Sequence, residues 1–161
     1  MLISKYDSPL GPMSILASGA GVHALIFDGQ KHAPNCEHAI PGDNRAMRQL
    51  RQELDGYFAG QVRQFHAPLA PQGTPFQQRV WAGLLAIPFG QTSPYGALAA
   101  MLGNAQASRA VGAAVGRNPI SIAIPCHRVI GASGALTGYA GGLDRKRALL
   151  ALEIGAAIAA A

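Results

Sequence analysis

One short segment of the sequence combines a nucleophile with two cationic side chains. Cys126 is followed directly by His127 and Arg128, and it comes after the apolar run 120–124, which is rich in β-branched residues. We interpret this run as a buried strand ending at Pro125, so that the cysteine lies where a rigid element ends. The thiolate is the reactive form of cysteine, and cationic neighbours favour it. A free cysteine is also often buried and inert, so the segment alone leaves both interpretations open.

A carboxylate far along the chain is placed to support the histidine. The last helix is predicted to begin near Asp144, and Glu153 falls on the same face as the apolar Leu149 and Leu150. A carboxylate on a buried face needs a partner. His127 is a candidate partner, which would give a Cys–His–Glu relay. The alternative is a partly exposed glutamate at the edge of the helix.

The region before the cysteine predicts two short helices joined by a turn. Ser93 and Pro94 form a cap-then-proline start, and the apolar face of that first helix would be Leu98, Met101 and Leu102. Residues 103–104, Gly-Asn, form the turn, and a second helix follows over about 106–116. This arrangement is typical of a helix-turn-helix, although an ordinary helical hairpin has the same spacing.

The second of these helices carries small residues on one face. We expect its core side to consist of Ala107, Ala110, Val111, Ala114 and Val115, and its other side of Ser108, Arg109, Gly112, Ala113 and Gly116. Glycine inside a helix is about 0.5–1 kcal/mol less favourable than alanine, so two glycines indicate a purpose. A small-residue face allows close approach to another surface, with Arg109 entering a narrow minor groove of DNA. Close helix–helix packing is the alternative.

The elements that would hold these residues in place divide the chain into two predicted subdomains, 1–73 and 74–161. In the first, alternating stretches predict an antiparallel sheet, followed by a loop and a helix capped by Asp43; the stretches are Leu2–Tyr6, Met13–Ala17 and Val22–Phe27. The second begins with a capping box at Thr74 and Gln77. Its first helix would present Phe76, Val80, Leu84 and Ile87 on one face.

Composition limits the class of protein. The 161 residues are 49% hydrophobic, which fits an ordered protein, and carry a formal net charge of +5. A small basic protein often meets a polyanion, but ribosomal, membrane-surface and other basic proteins share this property. No apolar run reaches the about 18 residues of a membrane span, and the N-terminus lacks the pattern of a secretion signal. We therefore expect a cytoplasmic protein with no membrane partner, in which Cys36 and Cys126 are free thiols.

Four motifs together resemble the O6-alkylguanine-DNA alkyltransferase family. Pro-Cys-His-Arg-Val at 125–129, preceded by Arg-Asn-Pro at 117–119, looks like its active-site signature. Ser-Arg-Ala-Val-Gly at 108–112 resembles its recognition helix, and Gly-Tyr-Ala-Gly-Gly at 138–142 its substrate loop. The resemblance is strong from about Pro75 to Gly155. It implies an α/β (α+β) fold with a ribonuclease H-like N-terminal subdomain and a winged helix-turn-helix C-terminal subdomain.

The resemblance also implies roles for individual residues. Cys126 matches the alkyl acceptor, His127 the residue that takes the thiol proton through a water, and Glu153 its partner. Tyr95 matches the tyrosine that donates to the leaving guanine, and Asn118 the asparagine that holds the turn before the active site. The residues expected to contact DNA are Arg109, which would fill the stack, with Ser93, Ser108, Gly112, Ala113 and Arg117. The expected substrate pocket consists of Tyr95, Val129, Tyr139 and Ala140.

The sequence departs from the family in two places. Ala140 stands where some relatives have a serine, which removes one hydrogen bond to the base. Some relatives also bind zinc in the N-terminal domain through two cysteines and two histidines. Here the N-terminal half has a single cysteine, Cys36, so that set is incomplete although histidines are present at His23, His32, His38 and His66. We predict no metal and no cofactor.

The expected function is therefore single-turnover repair of DNA. A monomer would bind double-stranded DNA in the minor groove, flip out an O6-alkylguanine and transfer the alkyl group to Cys126. O4-alkylthymine is a possible second substrate. Three alternatives remain at this point: a winged-helix protein that binds lesions without repairing them, a cysteine hydrolase that uses Cys126, His127 and Glu153, and a basic winged-helix module without chemistry.

Overall fold

The computed structural model describes the backbone of residues 1–159 and the side chains of residues 1–155. The chain folds into two compact units. Unit 1 consists of Met1–Gln72 together with Pro119–Ala123, and unit 2 consists of Gly73–Asn118 and the chain from Ile124 onward. Within the described residues, no helix is long and apolar enough to cross a membrane.

Unit 1 is built on the antiparallel sheet that the alternating stretches predict. Strands β1 (Leu2–Ser8), β2 (Gly11–Ser18) and β3 (Gly21–Phe27) pair in sequence order. A short fourth strand, β4 (Ile40–Pro41), pairs in parallel with β1, so the sheet order is β3-β2-β1-β4. The sequence predicts only a loop there. Gly21 has φ +131°, and a Cβ at this position would lie 2.6 Å from the carbonyl oxygen of Pro68, so the turn requires glycine.

Helix α1 (Arg45–Phe58) packs against β2 and β3. Its buried side contains Met47, Leu50 and Leu54, which recur at helical spacing. The predicted cap is wrong by one residue: the side chain of Asn44, and not that of Asp43, accepts the hydrogen bond from the Met47 amide.

The sheet of unit 1 is covered on both faces. All seven residues of β3 are buried. Besides α1, a second apolar cluster contains Leu16, Ala24 and Ile26, and the half-buried Cys36 and Ala39 pack against it. The loop after β3 therefore shields part of the sheet from water, and this explains why β2 and β3 carry apolar residues on both faces.

Unit 2 begins with helix α2 (Pro75–Leu84), whose start follows the prediction. Thr74 accepts from the Gln77 amide while the Gln77 side chain accepts from the Thr74 amide, which completes the capping box. The indole Nε1 of Trp81 donates to the carbonyl of Ala114 at 2.9 Å and so joins α2 to helix α4 (Ser108–Gly116). The predicted helical face extends too far, since Ile87 lies beyond the end of α2.

The two short helices of the motif are present, with different boundaries. Ser93-Pro94 is not a helix start but strand β5, which pairs in parallel with β6 (Val129–Ile130). Helix α3 (Tyr95–Met101) begins after it, a turn at residues 102–107 follows, and α4 comes next. The chain ends in helix α5 (Leu143–Ala159). Met101, the last residue of α3, is exposed rather than part of the apolar face.

Candidate active site

The nucleophile-bearing segment has a different local structure from the predicted one. Residues 120–124 are buried but do not form a strand. Ile120 makes an isolated parallel bridge with Leu25, the residues after it make turns, and Ile122 has the left-handed φ of +70°. A β-branched residue rarely adopts this conformation. Cys126 then opens a single turn of 3-10 helix, Cys126–Arg128, in which all three side chains are buried. The turn, and not a strand end, directs the thiol, the imidazole and the guanidinium.

Asn118 holds the backbone just before this turn. Its side chain is buried and donates from Nδ2 to the carbonyl oxygen of Ile124 at 2.8 Å. The amide of Cys126 donates to the same carbonyl, also at 2.8 Å. Two donors on one carbonyl fix the chain immediately before the thiol, as expected for a residue that shapes the active-site turn.

His127 and Glu153 meet as the sequence predicts. The His127 Nε2 lies 2.6 Å from the Glu153 Oε2, and both side chains are buried. Burial lowers the pKa of His127 more than the Glu153 carboxylate raises it, with further lowering by Arg128 and Lys146. The imidazole is therefore neutral at pH 7, with its one hydrogen on the nitrogen that faces the carboxylate.

The other ring nitrogen of His127 is left as a proton acceptor. Among the described residues, its Nδ1 has no hydrogen-bond partner although it is buried. A buried nitrogen without a partner is unfavourable by about 1–3 kcal/mol, so a structure that retains one has an acceptor ready for use. His127 can therefore act as a base through Nδ1, while Glu153 fixes the orientation of its ring through Nε2.

Arg128 completes the network in a way that the sequence did not predict. Its guanidinium donates to the Glu153 carboxylate through Nε at 2.8 Å and Nη2 at 3.0 Å, and to the Ile87 carbonyl through Nη1 at 2.7 Å. The Phe89 ring lies 5.7 Å from the guanidinium carbon. The Gly90 amide adds a 3.3 Å hydrogen bond to the carboxylate. Glu153 is therefore shared between a base and a permanent cation.

Lys146 is a second residue that the sequence analysis missed. It is fully buried, and its Nζ donates to the Val129 carbonyl at 2.6 Å and the Thr137 carbonyl at 3.1 Å. Burial lowers its pKa, and the Cys126 thiolate opposes that shift. The sequence spacing could have predicted that Lys146 is buried. It precedes Leu149 by three residues and Glu153 by seven, which places it on the buried side of α5.

The Cys126 thiol is buried, and the effect of burial on its pKa outweighs that of the neighbouring groups that favour the thiolate. Burial raises the pKa of Cys126 above its ordinary value. Hydrogen bonding from Asn118, the Lys146 charge and hydrogen bonding from Tyr139 oppose the rise but do not cancel it. The cysteine therefore needs a base at the moment of reaction.

The predicted pocket and DNA-binding residues lie on neighbouring elements of unit 2. Tyr95 begins α3 and is half-buried, and its hydroxyl oxygen accepts a hydrogen bond from Thr137 at 3.1 Å. Val129 is buried, and Tyr139 and Ala140 are half-buried. On α4 and just after it, Arg109, Ala113 and Arg117 are exposed, Ser108 and Gly112 are half-buried, and Ala110, expected in the core, is exposed. Ser93 lies half-buried in β5.

Neither cysteine is in a disulfide, and Cys36 lies half-buried in unit 1. The described residues contain no group of three or more histidine, cysteine, aspartate or glutamate side chains that could hold a metal ion. His23, one of the histidines considered for zinc, instead lies 2.6 Å from the Ser18 hydroxyl and 2.7 Å from the Ala70 carbonyl.

Two family models match the chain in succession. The ribonuclease-like domain of 6-O-methylguanine DNA methyltransferase matches residues 1–71, and the DNA-binding domain of the same family matches residues 75–155. A methylated-DNA--protein-cysteine methyltransferase of Mycobacterium bovis is 50% identical over 91% of this chain and 88% of its own length. The protein of that name from Methanosarcina acetivorans is 44% identical over 95% of this chain and 98% of its own length.

A solved structure agrees with this assignment. The crystal structure of Mycobacterium tuberculosis OGT in complex with DNA superposes with a TM-score of 0.91 at 46% identity, covering 97% of this chain and 94% of that one. The two family models together span nearly the whole chain, and the relatives are matched over most of their length. The chain therefore belongs to the 6-O-methylguanine DNA methyltransferase family.

Proposed function

We propose that this protein repairs DNA by transferring the alkyl group of O6-alkylguanine irreversibly to its own Cys126. The observation that carries the proposal is the buried Nδ1 of His127, which has no hydrogen-bond partner among the described residues and belongs to the residue directly after the buried Cys126. Glu153 fixes the imidazole from the opposite side at 2.6 Å. In a member of this family, such a set supports one chemical step, namely nucleophilic attack by sulfur with a base at hand.

The proposed step is a displacement at the alkyl carbon. His127 takes the proton of the Cys126 thiol through a water, and the sulfur forms a bond to the carbon as the bond from that carbon to O6 breaks. The electron pair of the broken bond goes to the guanine, which leaves as an anion and later gains a proton from solvent. Tyr95 donates a hydrogen bond to the base and so stabilises the charge that develops on the purine ring.

The exposed side of α4 supports a binding site for DNA. Arg109 is the one long side chain among small residues there, and Arg117 follows at the end of the helix. We propose that α4 enters the minor groove, that the damaged nucleotide is flipped out, and that Arg109 fills the vacated stack. Unstacking is unfavourable by a few kcal/mol, less for a damaged base, and Arg109 offsets part of it. Ser93, Ser108, Gly112 and Ala113 would approach the DNA backbone.

The flipped base would enter a pocket formed by Tyr95, Val129, Tyr139 and Ala140. We propose that one protein molecule acts alone, since every residue of the proposed site lies in unit 2 of a single chain. The chemistry requires a reduced thiol, which fits action in the cytoplasm. O4-alkylthymine presents a similar alkyl oxygen and is a second substrate to be tested.

The deciding experiment is mass spectrometry of the protein after reaction with duplex DNA that contains O6-methylguanine. We expect one methyl group per molecule, located on the Cys126 peptide, with no reaction in Cys126→Ser. The Cys36→Ser variant is the matched control, and it should react fully. An unmodified Cys126 peptide with the DNA still methylated would favour a lesion-binding protein without chemistry. Several turnovers per molecule on an ester or amide would favour the hydrolase.

A further inference from the structure

The hydroxyl of Tyr95 is held by a neighbour to which neither the motifs nor the mechanism above assigns a role. The Thr137 Oγ1 donates to the Tyr95 oxygen at 3.1 Å, and both side chains are half-buried. We propose that Thr137 is a positioning residue for the alkyl transfer: it orients the Tyr95 hydroxyl and strengthens the hydrogen bond that Tyr95 gives to the leaving base. The proposal rests on the function proposed above.

The physical reason lies in the hydrogen-bonding capacity of a phenol. A tyrosine hydroxyl has one hydrogen to donate and an oxygen that accepts. When Thr137 donates to that oxygen, the phenol hydrogen must turn away from Thr137. Accepting one hydrogen bond also polarises the phenol, and cooperative strengthening of the next bond is about 10–30%. Thr137 therefore acts on the base through Tyr95 without touching the base.

The backbone of the segment that carries Thr137 is held by hydrogen bonds from Lys146. The buried Lys146 donates to the Thr137 carbonyl at 3.1 Å and to the Val129 carbonyl at 2.6 Å. Lys146 thus ties this segment to strand β6, which follows the Cys126–Arg128 turn directly. Gly131 and Ala135 close the segment on itself, since the Gly131 amide donates to the Ala135 carbonyl at 2.9 Å. The threonine hydroxyl is therefore presented to Tyr95 from a fixed backbone.

The Tyr95 ring is also restrained on its other side. A Cβ added to Gly112 of α4 would lie 3.8 Å from two ring carbons of Tyr95, which is ordinary van der Waals contact. The ring is thus packed close to the backbone of α4. With the ring lying against α4, the hydroxyl can still rotate about its bond to the ring. That is the freedom that Thr137 removes.

The step affected by Thr137 is departure of the base. As the bond from sulfur to the alkyl carbon forms, the electron pair of the carbon–O6 bond moves onto the guanine. A stronger and correctly aimed hydrogen bond from Tyr95 stabilises that charge in the transition state more than in the bound substrate. An interaction of this kind raises the maximal rate and leaves affinity almost unchanged.

The test uses single-turnover reaction with free O6-benzylguanine, measured over a range of concentrations. Thr137→Val keeps the shape and removes the hydroxyl. We expect it to lower the maximal rate about three- to tenfold, the size of one hydrogen bond, with the half-saturating concentration unchanged. Thr137→Ser keeps the hydroxyl and should restore most of the rate. If the Thr137→Ser variant has a maximal rate as low as that of Thr137→Val, the proposal is contradicted.

A double-mutant cycle separates polarisation of Tyr95 from packing of the loop. Tyr95→Phe removes the donor, so Thr137→Val should have no further effect in that background. An equal slowing by Thr137→Val with Tyr95 and with Phe at position 95 would overturn the proposal and indicate a purely structural threonine. Failure of the proposed function has a different signature, because the unchanged protein would then acquire no benzyl group on Cys126.

Discussion

Arg128 binds Glu153 through two parallel hydrogen bonds, Nε to Oε1 at 2.8 Å and Nη2 to Oε2 at 3.0 Å. His127 contacts the same Oε2 at 2.6 Å. A planar guanidinium fixes the plane of a carboxylate as a single ammonium cannot. The carboxylate plane in turn determines where the imidazole points. Arg128 therefore orients the proposed base through Glu153, and the proposed catalytic network is also part of the buried structure.

Removing the carboxylate should destabilise the fold as well as abolish activity. Glu153→Ala leaves the guanidinium of Arg128 buried without its ionic partner, and breaking such a pair costs about 3–5 kcal/mol. Urea denaturation followed by circular dichroism measures the free energy of unfolding. The double variant Glu153→Met with Arg128→Met removes both charges and should recover most of that loss. A loss below about 1 kcal/mol in Glu153→Ala would show that the pair is not desolvated as described.

The thiol should react slowly with a reagent that needs only the thiolate. Burial raises the pKa of Cys126 above its ordinary value of 9.0. Less than half of the thiol is therefore ionised at pH 8.5, and reaction with iodoacetamide should still be rising steeply there. The rate of carboxamidomethylation of Cys126, measured by peptide mass spectrometry from pH 6 to pH 10, tests this. A plateau below about pH 8 would mean that the pKa is lowered instead.

Alkyl transfer itself should depend on pH differently. Burial lowers the pKa of His127, so the imidazole remains a neutral acceptor at about pH 6.5, where an ordinary histidine is half protonated. The transfer rate with free O6-benzylguanine should therefore stay constant as the pH is lowered to about 6.5, and it should fall only below that pH. A rate already halved at pH 6.5 would indicate an unshifted histidine. His127→Gln should lower the rate and remove this acid limb.

Arg109 should matter only when the base is in a duplex. Arg109→Ala removes the side chain proposed to fill the stack, so repair of O6-methylguanine in duplex DNA should slow at least about tenfold, as for loss of a few kcal/mol of stacking compensation. Reaction with the free base should not change. Arg147→Ala is the matched control, because Arg147 is an exposed arginine paired with Asp144. Equal slowing of both substrates would contradict the stack-filling role.

Asn118 should affect both stability and the thiol. Asn118→Ala removes the buried donor to the Ile124 carbonyl, which should lower the free energy of unfolding by about 1–3 kcal/mol. It also removes hydrogen bonding that lowers the pKa of Cys126, so the pKa should rise further and iodoacetamide should react more slowly at pH 8. The exposed Asn104 provides a control variant, Asn104→Ala, that should leave the thiol unchanged. Faster thiol reaction in Asn118→Ala would contradict this role.

The parts of the fold set by local rules were predictable from the sequence. The Thr74 capping box depends on residues three apart and forms as expected. At the start of α1, by contrast, Asp43 and Asn44 are both capable caps. The choice depends on which residue takes the extended backbone, and this is Asn44 with φ −148°. When two adjacent residues have similar chemistry, a sequence pattern cannot decide which of them caps the helix.

The errors near the site come from tertiary structure that overrides local preference. The β-branched residues of 120–124 favour a strand, yet Ile122 takes φ +70° in a turn. The pairing of His127 with Glu153 was predictable because a buried carboxylate needs a partner. Lys146 was not predicted, since lysine is rarely fully buried, although its spacing placed it on the right face. The role of Arg128 was missed because nothing in a linear motif says whether its guanidinium points outward or inward.

The return of residues 119–123 to unit 1 has a consequence during synthesis on the ribosome. The Leu25 amide donates to the Pro119 carbonyl and its own carbonyl accepts from the Ser121 amide, both at 2.9 Å. Strand β3 is the edge of the sheet. These partners are translated about 50 residues after residue 72, where the first part of unit 1 ends. At 5–20 residues per second, this takes roughly 3–10 s. For that time the stretch of the β3 edge at Leu25 lacks these backbone partners and can pair with other chains, although residues 68–70 already pair with the edge at Val22. The segment that leads into Cys126 thus also closes this stretch of the sheet edge once it has been translated.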